Sequence, residues 1–532
     1  LIVLLFLLVP IYSITEVTTF FQDITKESKL NFTHDPRLGG KYFFPEVMGA
    51  GCAFLDFDND NDLDIYFVNG GEDYVFRQDQ NGTFTNITNV SGLNDKGYGM
   101  GVAVGDIDND GDVDVFVSNY GPNLLYRNNG NGTFTNVTEK AGINTTGWST
   151  SAVFFDYDRD GFLDLYVARY VQLNPSVVCT DRAGRKDYCG PDAYEAEPHL
   201  LFHNKQNGTF EDVSTPAGIN RLPRKGLGVV SADFNLDSWP DLYVANDREP
   251  NNLWINKQNG TFQDRALPLG AAVNAMGQSE ASMGVAVGDV NQDGRPDLFV
   301  TNLRDETNTL YVNKGVTGFQ DNSVASGLGL PSLPLTGFGT GFFDFNHDGN
   351  LDVGIVNGRV TRGVLLKKNR PANSWDDYAE PSLLFQNLAD GHFRNLGGIT
   401  SELQNGRGLA FGDVDNDGDV DLLVNNCGGE ARLLRNDLNP KGHWLLIRAV
   451  DPTLKRDAYG ATITVTVAGK NLTRWVNPAY SYLSSNDPRV HFGLGSATSV
   501  EKIQVLWPDG VTETFPSTQP DQILILRKGS SK

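Results

Sequence analysis

The chain has 532 residues, 43 Lys and Arg against 66 Asp and Glu, and a formal charge of −23. That length exceeds one ordinary core, and an apolar fraction of 39% with 58 Gly excludes disorder as the main state. The charge excludes a general nucleic-acid binder, which needs a basic footprint, and disfavours docking on anionic lipid.

Residues 1–13 open with LIVLLFLLVPIY. This run is too short to span a bilayer. It reads as the apolar core of a truncated secretory signal peptide, with Ser13 at the cleavage point. No later stretch suggests a span, so no membrane insertion is expected. Cysteine use agrees with an oxidising compartment. Cys179 and Cys189 flank a polar loop and are expected to form a disulfide. Ten N-x-S/T sequons occur, and four of them (Asn81, Asn131, Asn207, Asn259) stand in one repeated N-G-T turn. A hairpin explains those four without a sugar.

Residues 20–440 carry an internal repeat. The string D-x-[DN]-x-D-[GNS]-x-x-D occurs seven times. Loop one offers Asp56, Asp58, Asp60 and Asp64; loop two, Asp106, Asp108, Asp110 and Asp114; loop three, Asp156, Asp158, Asp160 and Asp164. Loop four offers Asp233, Asn235, Asp237 and Asp241; loop five, Asp289, Asn291, Asp293 and Asp297. Loop six offers Asp344, Asn346, Asp348 and Asp352, and loop seven Asp413, Asp415, Asp417 and Asp421. Branched and aromatic runs such as GVAVGD and DVFVSN flank each loop and predict strands. A third strand follows, and then a fourth after the N-G turn. Each unit is thus a four-stranded blade, and seven units predict an all-β, seven-bladed β-propeller. The seventh unit lacks a fourth strand, but Phe20-Phe21-Gln22-Asp23-Ile24-Thr25 matches the missing one. The N-terminal strand is therefore expected to close the ring, which removes its open edges. Closure brings Cys52 and Cys427 toward each other, either as a pair or as two buried thiols.

The loops suit a hard cation that takes six to eight oxygens. Carboxylates or amides at positions 1, 3, 5 and 9 converge when the backbone curls, and Gly at position 6 allows the positive φ of the turn. The expected cofactor is Ca2+, up to seven ions. Loop four, with Asn235 and Ser238, is expected to be the weakest. The seven loops hold 28 of the 66 acidic residues, so complete filling would bring the charge from −23 to −9.

These strand–DxDxDG–strand units resemble FG-GAP/VCBS repeats, as in the integrin α-chain propeller. Residues 443–528, with HWLLIRAV, SYLSSNDPRVHFGLGSAT and KIQVLWPDGVTETF, resemble the ASPIC/UnbV domain of cartilage-acidic-protein-like proteins. The resemblance implies a small β-sandwich-like domain after the ring and a secreted, calcium-binding, non-enzymatic adhesion or recognition protein. Its partner would be an extracellular protein or a glycan. A lectin-like role and an accessory or enzymatic role in secondary metabolism are the alternatives.

No catalytic constellation stands out: the seven His lack HExxH spacing, and there is no G-x-S-x-G. Ser484 to Arg489 with His491 is read as a turn network of the C-terminal sheets, or as a second site. Two long insertions, Gln172 to Pro198 and Arg359 to Pro381, fall between second and third strands and should rise from the face opposite the Asp loops. Their Tyr188, Tyr194, Trp375 and Tyr378 make that face the expected recognition surface.

Overall fold

The computed structural model describes residues 20–181, 183–362, 375–439 and 441–531. The leader reading at 1–13 lies outside them, as does 363–374 within the second insertion. Among the described residues, seven four-stranded sheets follow one another along the repeat. In the second, strands Gly99–Gly105, Asp114–Asn119, Leu124–Asn128 and Phe134–Asn136 pair in order, all antiparallel. First strands touch in cyclic order, from Cys52–Leu55 through to Gly406–Gly412 and back. The last sheet takes its fourth strand from the N-terminal segment: Phe21 pairs with Asn436 and Asp23 with Leu434.

Burial follows position in the blade. The first two strands of blade two are buried at every residue, because neighbouring sheets cover both faces. The fourth strand buries only its leading Phe134. The same Phe recurs as Phe84, Phe210, Phe262 and Phe393, each 4–7% exposed. Each such ring contributes about 1.5–3 kcal/mol by burial.

Residues after 441 form two further four-stranded sheets. In one, His443–Asp451 pairs with Val490–Gly495 antiparallel and with Gln522–Arg527 parallel. In the other, Thr462–Val467 lies between Lys470–Trp475 and Lys502–Leu506. A single apolar cluster runs from Ile107, Phe154 and Leu165 of the ring to Leu445, Val465 and Trp507 of these sheets.

The segment read as a turn network lies elsewhere. Residues 477–487 thread the axis of the ring and bond to every blade. Phe54 donates to the Ser485 carbonyl, Val102 to that of Leu483, and Val285 to that of Ser481. Leu483 donates to Ser151 Oγ, Asn477 to the Ser231 carbonyl, and Thr340 to Ser481 Oγ. Asp487 donates to the Phe411 carbonyl. Gly51 makes the fit possible, since a Cβ there would sit 1.7 Å from the Leu483 oxygen. Seven first strands leave an axial hole with unpaired polar groups, and this segment fills it.

Cys179 and Cys189 are bonded, with Cα atoms 5.1 Å apart. Cys52 and Cys427 are separate buried thiols: Cys52 lies against Ser484 and the Leu423 carbonyl, Cys427 against the Glu46 carbonyl.

Candidate metal centres

All seven loops share one hydrogen-bond scheme, set by the position-1 and position-9 carboxylates. In loop two, Asp106 accepts from the N–H of Asp110 and of Gly111 at 3.2 and 2.9 Å. Asp114 accepts from Ile107 at 2.9 Å and from Asn128 of the third strand at 2.8 Å. Loop four repeats the scheme through Asp233 and Asp241, although Ser238 replaces Gly. The turn demands positive φ at position 6, met by Gly111 at 105°, Asn61 at 70° and Ser238 at 70°. It demands the same at position 4, from Asn59 at 60° to Leu236 at 61°, which the Gly pattern does not reveal.

The carboxylates gather unevenly. Ligand oxygens lie within 4.8 Å of one another for Asp56, Asp58 and Asp64; for Asp106, Asp108 and Asp114; for Asp156, Asp158 and Asp160; and for Asp413, Asp415 and Asp421. Loops four, five and six carry an amide, Asn235, Asn291 or Asn346, at position 3 and show no trio of carboxylates this close among the described residues. In loops four and six the position-3 amide turns its donor to the position-5 carboxylate: Asn235 to Asp237 and Asn346 to Asp348, both at 3.1 Å. In loop five Arg295 is seated on Asp293. A donor thus faces a loop carboxylate in each of loops four to six, as it does in loop three, where Gln206 donates to Asp160 at 2.8 Å, and in loop seven, where Lys441 lies 3.8 Å from Asp417.

A cation fits the four gathered sites. Asp58 Oδ1 and Asp108 Oδ1 are buried with no hydrogen-bond partner, and an orphaned buried carboxylate oxygen is costly. Burial pushes Asp56, Asp106 and Asp156 up to about 6 and Asp413 to about 7. It pushes Asp64 to about 9. Arg448, Arg456 and Arg489 offset this only in part at Asp56, Asp156 and Asp413, and a divalent ion among oxygen donors would supply the remaining counter-charge.

Two chains of contacts escaped sequence reading. First, the last residue of each third strand reaches the preceding blade's loop. Asn128 donates to the Phe57 carbonyl, Asn204 to Ile107 and Asn256 to Tyr157, all at 2.8 Å. Gln78 closes the circle on Val414 at 2.9 Å. The Asn that ends the third strand of blades two to seven is the signal for it in the sequence. Second, position-4 side chains reach the next loop. Asn59 donates to Asp112 at 2.7 Å, Asn109 to the Gly161 carbonyl and Asn416 to Asp62. Gln292 donates to Asn350, His347 meets Asp419 and Arg159 lies over Trp239. Leu236, 54% exposed, breaks this chain.

The C-terminal sheets cover the same face. Arg456 donates to Asn109 Oδ1 and the Gly161 carbonyl, Arg474 to the Gly349 carbonyl, and Arg489 to Asn416 and the Asp413 carbonyl. The two insertions meet on the other face, where Tyr188 lies 6.2 Å from Tyr378 and 5.3 Å from Tyr42, ring to ring. Trp375 and Tyr378 are buried there and Tyr188 and Tyr194 are half-buried, so these rings pack over the mouth of the ring.

The FG-GAP-like repeat model matches residues 56–117, 106–167, 233–300 and 289–355, and the ASPIC and UnbV model matches 451–532. Cartilage acidic protein 1 of Mus musculus is 28% identical over 375 residues, 66% of this chain and 54% of that protein. The Homo sapiens protein of the same name is 26% identical over 373 residues, 66% and 53%. The chain thus spans about half the length of the curated relatives it matches. Two solved lectins align more distantly. One, from Agrocybe aegerita, recognises non-reducing terminal N-acetylglucosamine; its TM-score is 0.41 at 16% identity, over 66% of this chain and 82% of that one. The other, BP39L from Burkholderia pseudomallei, has a TM-score of 0.45 at 9% identity, over 73% and 95%. No described helix is long and apolar enough to cross a membrane.

Proposed function

The chain belongs to the FG-GAP-repeat proteins with a C-terminal ASPIC and UnbV domain, and from that premise we propose that it is a secreted, calcium-stabilised recognition scaffold. The observation that carries the calcium reading is the gathering of three carboxylates in each of four loops, with orphaned oxygens on Asp58 and Asp108. Loops one, two, three and seven would hold cations most strongly, and loops four to six weakly. Secretion is supported by the Cys179–Cys189 disulfide and the apolar leader pattern. The chain is read as a binder: its buried carboxylates are accounted for by cation binding and turn geometry. The partner would be an extracellular protein or a glycan.

Thermal melting with and without chelator, alongside metal analysis of the purified protein, tests the calcium reading. Calcium should raise the melting temperature by several degrees, since an ion at a hundred times its Kd adds about 2.7 kcal/mol. An unchanged melt and a calcium-free protein would overturn it. A glycan array and an extracellular pull-down, each repeated with chelator, separate the two partner classes.

A further inference from the structure

We propose that the third loop is a mixed carboxylate–imidazole site that takes a first-row transition cation such as Zn2+ in preference to calcium. Its distinguishing residue is His203, in the third strand of blade three. At that place blades one, two and seven carry Arg77, Arg127 and Arg435, which cannot ligate a metal.

The imidazole faces the loop. Its Nδ1 lies 3.2 Å from Asp164 Oδ1 and 3.4 Å from Asp158 Oδ2. A tetrahedral zinc with bonds of about 2.0–2.1 Å separates its ligand atoms by about 3.3 Å. Asp158, Asp164 and His203 form one gathered group, and Asp158 also belongs to a second group with Asp156 and Asp160. Tyr157, its ring centroid 6.0 Å from the imidazole, braces the side chain, which remains 27% exposed and open to an entering ion. Calcium prefers an all-oxygen shell, whereas imidazole suits zinc and its neighbours. The other imidazole on a loop carboxylate, His347 at Asp419, is 2.9 Å away, but Lys441 is seated on the same carboxylate. The proposal rests on the reading of these loops as cation sites, yet it needs no calcium at the others.

The test uses full-length protein stripped of metal and dialysed against zinc in excess calcium, with bound metals counted by mass spectrometry. The wild type should retain a single zinc per chain. His203→Arg and His203→Gln should weaken zinc by roughly tenfold or more, since losing even an outer-shell partner of a ligand weakens metal binding by that much. Calcium at the other loops should be unchanged in both variants. A wild type that holds no zinc in excess calcium overturns the proposal. So does zinc kept by both variants, which would place it at His347 or elsewhere. Zinc held through His203 in a protein that binds no calcium would sink the calcium reading alone.

Discussion

Asp108 and Asp114 are six residues apart in one loop and do different work. Asp114 is a structural acceptor: it takes backbone N–H groups from Ile107 and Asn128. Asp108 leaves Oδ1 buried and without a partner. Asp114→Asn turns an amide donor toward one of two N–H groups, and should destabilise the chelated protein by about 1–3 kcal/mol, with a further loss in calcium because it also removes a ligand. Asp108→Asn should lower cation affinity and leave the chelated protein at least as stable, because it removes a repelled charge. Urea denaturation with calcium and with chelator distinguishes the two; equal losses in both conditions for Asp108→Asn would assign it a purely structural role. A buried histidine sets a separate dependence on pH. His199, 1% exposed, accepts the Arg169 N–H at Nδ1. Burial, with Arg169 and Arg224 nearby, holds it down to about 3. Its folded value lies below the unfolded 6.5, so its stabilisation is complete above pH 6.5 and is lost as pH falls. Each unit below 6.5 should remove about 1.4 kcal/mol through this ring. His199→Gln should therefore lose less stability than the wild type between pH 7 and 5.5, both measured in saturating calcium.

At the scale of the element, position 4 decides how each loop meets the next. Asn59, Asn109 and Asn416 combine positive φ with a hydrogen bond to the next loop. Leu236 adopts the same φ, 61°, with an exposed apolar side chain. Leu236→Asn should relieve the left-handed strain and stabilise the protein by about 1 kcal/mol. A melting temperature that does not rise would mean that Leu236 stores no such strain at its positive φ. The period-2 strands, the Asp spacing and the borrowed strand at Phe21 were legible because each depends on local pattern or on one repeat compared with the next. Position 4 was not, because Asn, Arg, Leu, Gln and His stand there and only the backbone conformation is shared. Nor were the partners of Asn128 or Asn256, which lie 71 and 99 residues back in the chain. The competing donors of loops four to six were hidden likewise, since Asn reads equally as a ligand and as a donor to one.

At the scale of the molecule, the C-terminal segment is part of the ring's interior. Residues 477–487 supply hydrogen bonds to all seven first strands, and Leu483 and Tyr482 join the axial apolar cluster with Met48, Met100 and Phe338. Removing the chain after 442 would leave the backbone of Phe54, Val102, Val285 and Phe411 without these partners. It would also expose Ile107 and Leu165, which share a core with Leu445 and Trp507. Several orphaned groups at about 1–3 kcal/mol each, together with the lost burial, exceed the 5–15 kcal/mol by which such proteins are stable. The truncated ring should therefore fail to fold in calcium, and the whole chain should melt in a single transition covering ring and C-terminal sheets. Calorimetry of the full chain and a soluble-expression test of residues 20–442 check both. A folded, monomeric truncated ring with a sharp melt would show that the axial segment only occupies the channel. A second separate transition in the full chain would show that the C-terminal sheets melt on their own despite the shared core.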